Sequence, residues 1–274
     1  MSQAEKWQLG GNAPEVYETQ LVPAIFGPWA PLLVAQAALH AGEQVLDVAC
    51  GTGVTTRLVA PEVGPMGGVV GLDLNPGMLA RARAAQAPQG AAIEWTEGDS
   101  NALPFESKTF DAVFCQLGFQ YFPDRAQAAR EMHRVLKPSG RLVTLVWRGL
   151  AHSPGFAALA TSLERNVSAA AAAVMRAPFV FGDSTNELRG LLTQAGFRTV
   201  HIGAEVRMVR FASPEAFVRY QVAGSPLATH VAAVHDAVRE KLVSEVTEMM
   251  QAHVNDDGLA FPIEGHIAVA HPHG

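Results

Sequence analysis

The 274 residues predict an α/β fold in which a mostly parallel sheet carries a helical addition, and three observations carry that expectation. From Val45 to Trp147, short Val/Ile/Leu-rich runs alternate with helical patterns, as βαβ units require. The last of these runs, Arg141–Trp147, is apolar along most of its length, as a strand covered on both faces should be. After Gly149 the pattern changes to Ala-rich helical stretches with no strand beside them.

Val45–Ala49 is the first expected strand, cut off by Gly51 and Gly53, and Val54–Val59 reads as the helix after it. Gly68–Leu74 is the second strand. Asn75 then caps a helix with Pro76 at its first position and Met78, Leu79, Ala82 and Ala85 along one face, ending near Pro88. Ile93–Glu97 and Asp111–Cys115 follow as strands three and four. Asp124 caps the next helix, which Pro138, Ser139 and Gly140 stop before the fifth strand, Arg141–Trp147. Pro154–Arg176 reads as a helical insertion, and Ser184 with Glu187 forms a capping box for a helix ending at Gly196. Phe197–Phe211 is a long strand. Helices open at Ser213–Pro214 and Ser225–Pro226, the second carrying Leu227, Val231, Val234, Val238, Leu242, Val246 and Met249 at helical spacing. Gly258 breaks it, and Leu259–Ala270 is the final strand.

Composition narrows the function classes. With 49% apolar and 17% charged residues the chain can bury a large core. Lys+Arg 20 against Asp+Glu 26, a net charge of −6, supplies no basic surface for a polyanion, so nucleic acid is not an expected partner. The most apolar runs, Ala30–Leu39 and Val167–Met175, are shorter than the ~20 residues of a membrane span. The start, MSQAEKWQLGGN, lacks the basic stub and apolar core of a secretion signal. Two cysteines, Cys50 and Cys115, make no disulfide framework, so the expected location is the cytoplasm. They end adjacent strands, and small buried thiols are the expectation over a redox pair.

The chemistry concentrates at strand ends. Asp47-Val-Ala-Cys-Gly51-Thr-Gly53 leads from a strand into a helix, and its glycines let backbone amides approach a ligand. Dinucleotide enzymes use a similar turn with a third glycine three residues on, where this chain has Thr56. Twenty residues after Gly53, the second strand ends in Asp73, where a carboxylate can accept hydrogen bonds from a ribose diol. The third ends in Gly98-Asp99-Ser100. Together these features indicate a nucleoside without saying which.

The ordered segments VLDVACGTG (45–53), VVGLDLNPGML (69–79), EGDSNALPF (97–105), FDAVFCQLGFQYFPD (110–124) and RVLKPSGRLV (134–143) resemble the class I S-adenosylmethionine methyltransferases, in the branch of ubiquinone/menaquinone C-methyltransferase-like small-molecule enzymes. The resemblance covers about 100 residues. It departs at Ser139, where the family usually has Gly, in a turn away from the cofactor. It implies a Rossmann-like, seven-stranded, mostly parallel sheet with an antiparallel final strand and a helical cap. The division it implies is one domain over 1–274, with a core of about 41–149 plus 184–211 and 259–270, and a cap from 14–40, 153–176 and 213–254. The implied cofactor is S-adenosyl-L-methionine. Gly51 and Gly53 would flank its methionine part, Asp73 would hold the ribose, Leu74 and Met78 would pack on the adenine, and Asp99 and Ser100 would meet the adenine edge. Asp47 and Gln116 match strand-end positions lining the methionine end.

The acceptor is less constrained, because nothing beyond residue 150 matches a named motif. The aromatic set Tyr17, Phe26, Trp29, Phe119, Tyr121, Phe122 and Trp147 suggests an apolar, partly aromatic pocket, with Tyr17, Trp29, Phe119 and Trp147 as its expected walls. Cap residues such as Phe156 and Phe179 should select the acceptor. His152, just after the fifth strand, is the best-placed general base should an O- or N-nucleophile need one, while His133, Arg134 and Asp111 read as structural. No metal site is expected, because His230 and His235 diverge by roughly 140° on a helix and His271 and His273 sit in a terminal tail. The expected function is methyl transfer to a small apolar or aromatic metabolite. A non-catalytic cofactor-binding protein and a nicotinamide-dependent dehydrogenase are the alternatives, the latter disfavoured by Thr56.

Overall fold

The computed structural model describes residues 11–182, 185–232 and 234–272. Ser184, His273 and residues 1–10, most of the MSQAEKWQLGGN start, lie outside the described residues. Strands β1 (Gln44–Val48), β2 (Gly68–Asp73), β3 (Ala92–Glu97), β4 (Phe110–Gln116), β5 (Leu136–Trp147), β6 (Thr199–Phe211) and β8 (Gly258–His271) form one sheet in the order β3-β2-β1-β4-β5-β8-β6. A two-residue strand, β7 (Val254–Asn255), pairs with β8. Pairs β1–β2, β2–β3, β1–β4 and β4–β5 are parallel, and β8 runs antiparallel to both β5 and β6. The expected mostly parallel sheet with its antiparallel final strand is borne out.

Strand order reverses at β1, whose neighbours are β2 on one side and β4 on the other. In open sheets of this kind the crevice outside the carboxyl ends at such a reversal is where ligands bind. The helices are α1 (Ala13–Val16), α2 (Ala30–Ala37), α3 (Val54–Val63), α4 (Pro76–Ala84), α5 (Arg125–Val135), α6 (Pro154–Asn166), α7 (Ala169–Arg176), α8 (Thr185–Gln194), α9 (Pro214–Ala223), α10 (Leu227–Val231) and α11 (Asp236–Met249). Between α1 and α2 the chain winds in wide π turns, Tyr17–Phe26, and a short 3-10 turn, Gly27–Trp29. One core layer joins Leu33 of α2 and Val59 and Val63 of α3 to the sheet and runs on into α6, α7 and α9. The other packs Met132 of α5 and Leu188 and Leu192 of α8 against the opposite face.

Local signals place most helix starts. Asn75 Oδ1 accepts from the N–H groups of Gly77 (2.8 Å) and Met78 (3.2 Å), Asp124 Oδ1 from Gln127 (2.8 Å), and the Ser213 hydroxyl from Ala216 (3.1 Å). Five boundaries differ from expectation. The helix expected to end at Val59 runs to Val63, across Pro61, because Val59, Ala60 and Val63 are buried against the sheet. The α4 helix stops at Ala84, well before Pro88, where Ala85 turns extended. Pro138-Ser139-Gly140 lies inside β5, as a bulge between the pairs Phe110–Leu136 and Ala112–Arg141. The run expected as one helix from Leu227 breaks before Asp236, and the Pro154–Arg176 insertion breaks at Val167, after which the Ser168 hydroxyl accepts from the N–H of Ala171 at 3.1 Å and starts a new helix. Among the described residues, no helix is long and apolar enough to cross a membrane.

Candidate functional site

One cavity opens at the carboxyl ends of the strands, at the reversal in strand order. Its floor comes from Ala49 and Gly51 after β1, Asp73, Leu74, Asn75 and Met78 after β2, Gly98, Asp99 and Ser100 after β3, Gln116, Leu117 and Gly118 after β4, and Trp147 at the end of β5. Its walls come from three separate pieces: Tyr17, Leu21 and Phe26 of the N-terminal arm, Phe156, Met175, Pro178 and Phe179 of the first insertion, and Gln221 with Gly224–Pro226 of the second. Both insertions therefore reach the edge that the glycine turn occupies.

The glycine turn and Asp73 are one hydrogen-bonded unit. Gly51 N–H donates to Asp73 Oδ2 at 2.7 Å, and Asn75 N–H donates to Oδ1 at 2.8 Å. Burial pushes the Asp73 carboxyl up, and the backbone donors of Asn75, Gly51 and Leu74 pull against it. Gly51 has φ +57°, and a Cβ built there would point into the cavity, its nearest neighbours being the Tyr17 hydroxyl at 3.8 Å and Met78 Cε at 3.9 Å. Gly53 differs. At φ +83° it opens α3 behind the edge, where a Cβ would strike Trp95 at 2.2 Å. Two non-glycine residues on the cavity floor also sit in the left-handed region, Ala49 (φ 57°) and Leu117 (φ 63°), each just past a strand end. Backbone held there is costly and is commonly found at functional sites.

The arm is fastened over this edge by polar contacts. Arg57 of α3 pairs with Glu18 at 2.9 Å, Arg81 of α4 pairs with Glu15 at 2.7 Å, and the Gln116 amide donates to Phe26 O at 2.8 Å while its Oε1 accepts from Thr55 at 2.7 Å. Tyr17 stacks on Phe26 with ring centroids 4.8 Å apart. Burial raises the Tyr17 phenol well above its ordinary value, with Tyr121 and Asp73 adding to the effect, and burial pushes Tyr121 up to about 12. Both phenols are thus neutral hydrogen-bonding groups at neutral pH.

Several sequence-expected site residues lie elsewhere. Asp47 is buried beneath the floor, where Oδ2 accepts from the Thr56 hydroxyl at 2.6 Å, and burial raises its carboxyl to about 7. The expectation that Trp29 and Phe119 line the pocket is corrected: both are fully buried, Trp29 edge-on to Trp147 at 5.3 Å and Phe119 against Phe122 at 5.5 Å, because each ring fills a core layer. His152 is not a cavity wall either; its Nδ1 lies 3.4 Å from Glu264 Oε2. Asp111 sits at the opposite edge of the sheet, holding Gln44 N–H at 2.9 Å and Lys137 at 2.8 Å. Cys50 and Cys115 are free, buried thiols whose acidity burial suppresses, Cys115 to about 12, so neither supplies the thiolate that redox exchange needs. Sequence reasoning missed Leu21, Met175 and Gln221. No spacing or residue type marks them out, because each joins the site only through the packing of its helix.

A Rossmann-like α/β sheet with a glycine turn, an acidic residue at the next strand end and a roof of inserted helices defines a nucleoside-type binding fold. Residues 45–140 match the family model described as a methyltransferase domain, over the same segment whose motifs resemble the class I methyltransferases. The chain is 43% identical over 119 residues to the 2-phytyl-1,4-naphtoquinone methyltransferase of Thermosynechococcus vestitus, covering 43% of this chain and 52% of that one. It is 42% identical over 117 residues to the demethylmenaquinone methyltransferase of Deinococcus radiodurans, covering 43% and 48%. The chain spans about half the length of these curated relatives. In overall fold it is similar to phosphoethanolamine N-methyltransferase 2 of Haemonchus contortus, solved with phosphomonomethylethanolamine and S-adenosylhomocysteine, with TM-score 0.54 and 18% identity over 89% of this chain and 52% of that one.

Proposed function

We propose that this chain transfers a methyl group from S-adenosyl-L-methionine to a small, mostly apolar or aromatic metabolite. The observation that carries the reading is the joining, in one cavity, of a polar edge suited to a nucleoside and an apolar roof with no charged side chain. The open approach to the Gly51 backbone and the Asp73 carboxylate fit the cofactor, and the methyltransferase family match supports it. The bound S-adenosylmethionine of the Haemonchus contortus enzyme in a second structure, similar to this chain with TM-score 0.52, is in keeping with the same choice.

In this reading Asp73 accepts from the ribose hydroxyls, Leu74 and Met78 pack on the adenine, Asp99 and Ser100 meet its edge, and Gly51 and Gln116 flank the methionine end. Asp47 and Gly53 act from behind, bracing the turn. The cofactor supplies an activated methyl group on a sulfonium, so the protein's part is to align acceptor and methyl carbon and to exclude water. Tyr17, Leu21 and Phe26 cover the edge, and Phe156, Met175 and Phe179 enclose the acceptor. Among the described residues, the titratable side chains lining the cavity are Tyr17, Asp73, Asp99 and Tyr121, and none comes from the two insertions. The acceptor is therefore a neutral molecule held by packing. The quinone methyltransferase names of the curated relatives suggest an aromatic ring.

Calorimetry with S-adenosylmethionine, S-adenosylhomocysteine and NAD tests the cofactor, and release of S-adenosylhomocysteine over a panel of phenols, quinols and amines tests turnover. Binding of NAD alone would refute the reading. Tight S-adenosylhomocysteine binding with no turnover on any acceptor would leave a binding protein in its place.

A further inference from the structure

Gln221 of α9 lines the cavity and is only 5% exposed, yet its Nε2 finds no hydrogen-bond partner among the described residues. A buried amide donor left unmatched is costly, so a site that keeps one holds it for a partner from outside the chain. Several other polar groups of the lining are engaged. The Ser225 hydroxyl donates to Gln221 O at 2.5 Å, both ends of the Gln116 amide are bonded, and Asp73 and Asp99 accept from backbone N–H groups. Of the described cavity-lining residues, Gln221 is the one with a buried unmatched polar atom.

The missing partner must be a hydrogen-bond acceptor, because an amide NH2 only donates. It belongs to the methyl acceptor and not to the cofactor, since Gln221 comes from the cap, with Phe156, Met175 and Phe179, while the nucleoside groups come from strand ends. No acidic or basic cap residue lines the cavity, which makes the oxygen a neutral one. From these observations we infer that Gln221 is a specificity-determining residue whose amide docks a neutral oxygen, carbonyl or ether in type, on an otherwise apolar aromatic acceptor. This rests on the methyl-transfer reading of the same cavity and names the acceptor class within it.

The test is a cycle of two proteins and two probes at saturating S-adenosylhomocysteine. Equilibrium dialysis measures 1-acetonaphthone, which carries a carbonyl, and 1-ethylnaphthalene, which does not, on wild type and on Gln221→Leu. A neutral hydrogen bond predicts that the substitution weakens the ketone about 3- to 10-fold and leaves the hydrocarbon unchanged or tighter. Thermal melting is the second readout: removing an unmatched donor should leave the melting temperature equal or higher, whereas a residue with a structural role would lower it. Equal effects on the two probes, failure of wild type to bind the ketone, or a clear drop in melting temperature with no selective loss of the ketone would overturn the assignment. Absent S-adenosylhomocysteine binding, with the ketone effect intact in the free protein, would sink the methyl-transfer reading and leave the oxygen subsite standing.

Discussion

Replacing Asp73 by Ala removes one carboxylate with two duties, and the structure separates their sizes. Within the protein it accepts from Gly51 N–H at 2.7 Å and Asn75 N–H at 2.8 Å. Hydrogen bonds to a charged group are worth ~1.5–3 kcal/mol each, and because the side chain faces the cavity, water can replace part of that. The expected loss of stability is about 2–4 kcal/mol, a melting temperature lower by roughly 5–15 °C, which a domain stable by ~5–15 kcal/mol survives. The second duty, under the proposed function, is to hold the ribose. Losing the ribose bonds costs about 1.5–3 kcal/mol, roughly 10- to 150-fold in the dissociation constant of S-adenosylhomocysteine. Calorimetry is run well below the melting transition, with far-ultraviolet circular dichroism on the same sample, so that unfolding cannot pass for weak binding. Asp73→Asn, which keeps the size and one acceptor oxygen, should fall between the two. A folded Asp73→Ala protein that binds S-adenosylhomocysteine within about twofold of wild type would refute the reasoning.

The two glycines should part company: Gly53→Ala forces a Cβ to within 2.2 Å of Trp95 and should cost several kcal/mol of stability, while Gly51→Val, opening on the cavity, should lower the melting temperature modestly and abolish S-adenosylhomocysteine binding. Melting curves beside calorimetry read both. The Asp47 carboxyl, raised to about 7 in the folded protein from 3.8, favours the folded state fully only below pH 4, and that contribution is lost as pH rises to 7. Urea unfolding of Asp47→Asn from pH 4 to 8 should lack this loss, up to about 4 kcal/mol in wild type, and parallel pH profiles for the two proteins would contradict the buried, protonated state. Phe179→Leu should cost under ~1.5 kcal/mol, shift acceptor preference in turnover assays, and leave S-adenosylhomocysteine affinity within about twofold. An equal loss of cofactor affinity would place this ring against the nucleoside.

How much of the site could be read in advance depended on distance along the chain. Asp73, Asp99 and Gly51 sit at strand ends that runs of Val, Ile and Leu announce, so each is found by where an apolar run stops. Asp47 and Gly53 carry the same signal and lie behind the edge, because a strand-end position says which edge of the sheet a residue is near but not on which side of the backbone its side chain falls. Trp29 and Phe119 show the same limit for aromatics: a large ring near a cavity and a large ring filling the core have one composition, and only the neighbouring atoms distinguish them.

The sequence by itself determined the alternation of strands and helices in the βαβ units, the helix starts at Asn75, Asp124 and Ser213, and which strand ends carry the glycine turn and the carboxylates, since each depends on residues a few positions apart. Tertiary structure alone decided which face α9 shows the cavity, that the arm is fastened by Glu18–Arg57 and Glu15–Arg81, and that Gln221, 104 residues beyond Leu117, shares its chamber. Those contacts join segments remote along the chain, and no periodicity encodes them; they follow from how the helices pack once the sheet exists, which is why the strand-end edge of the cavity was readable and its helical walls were not.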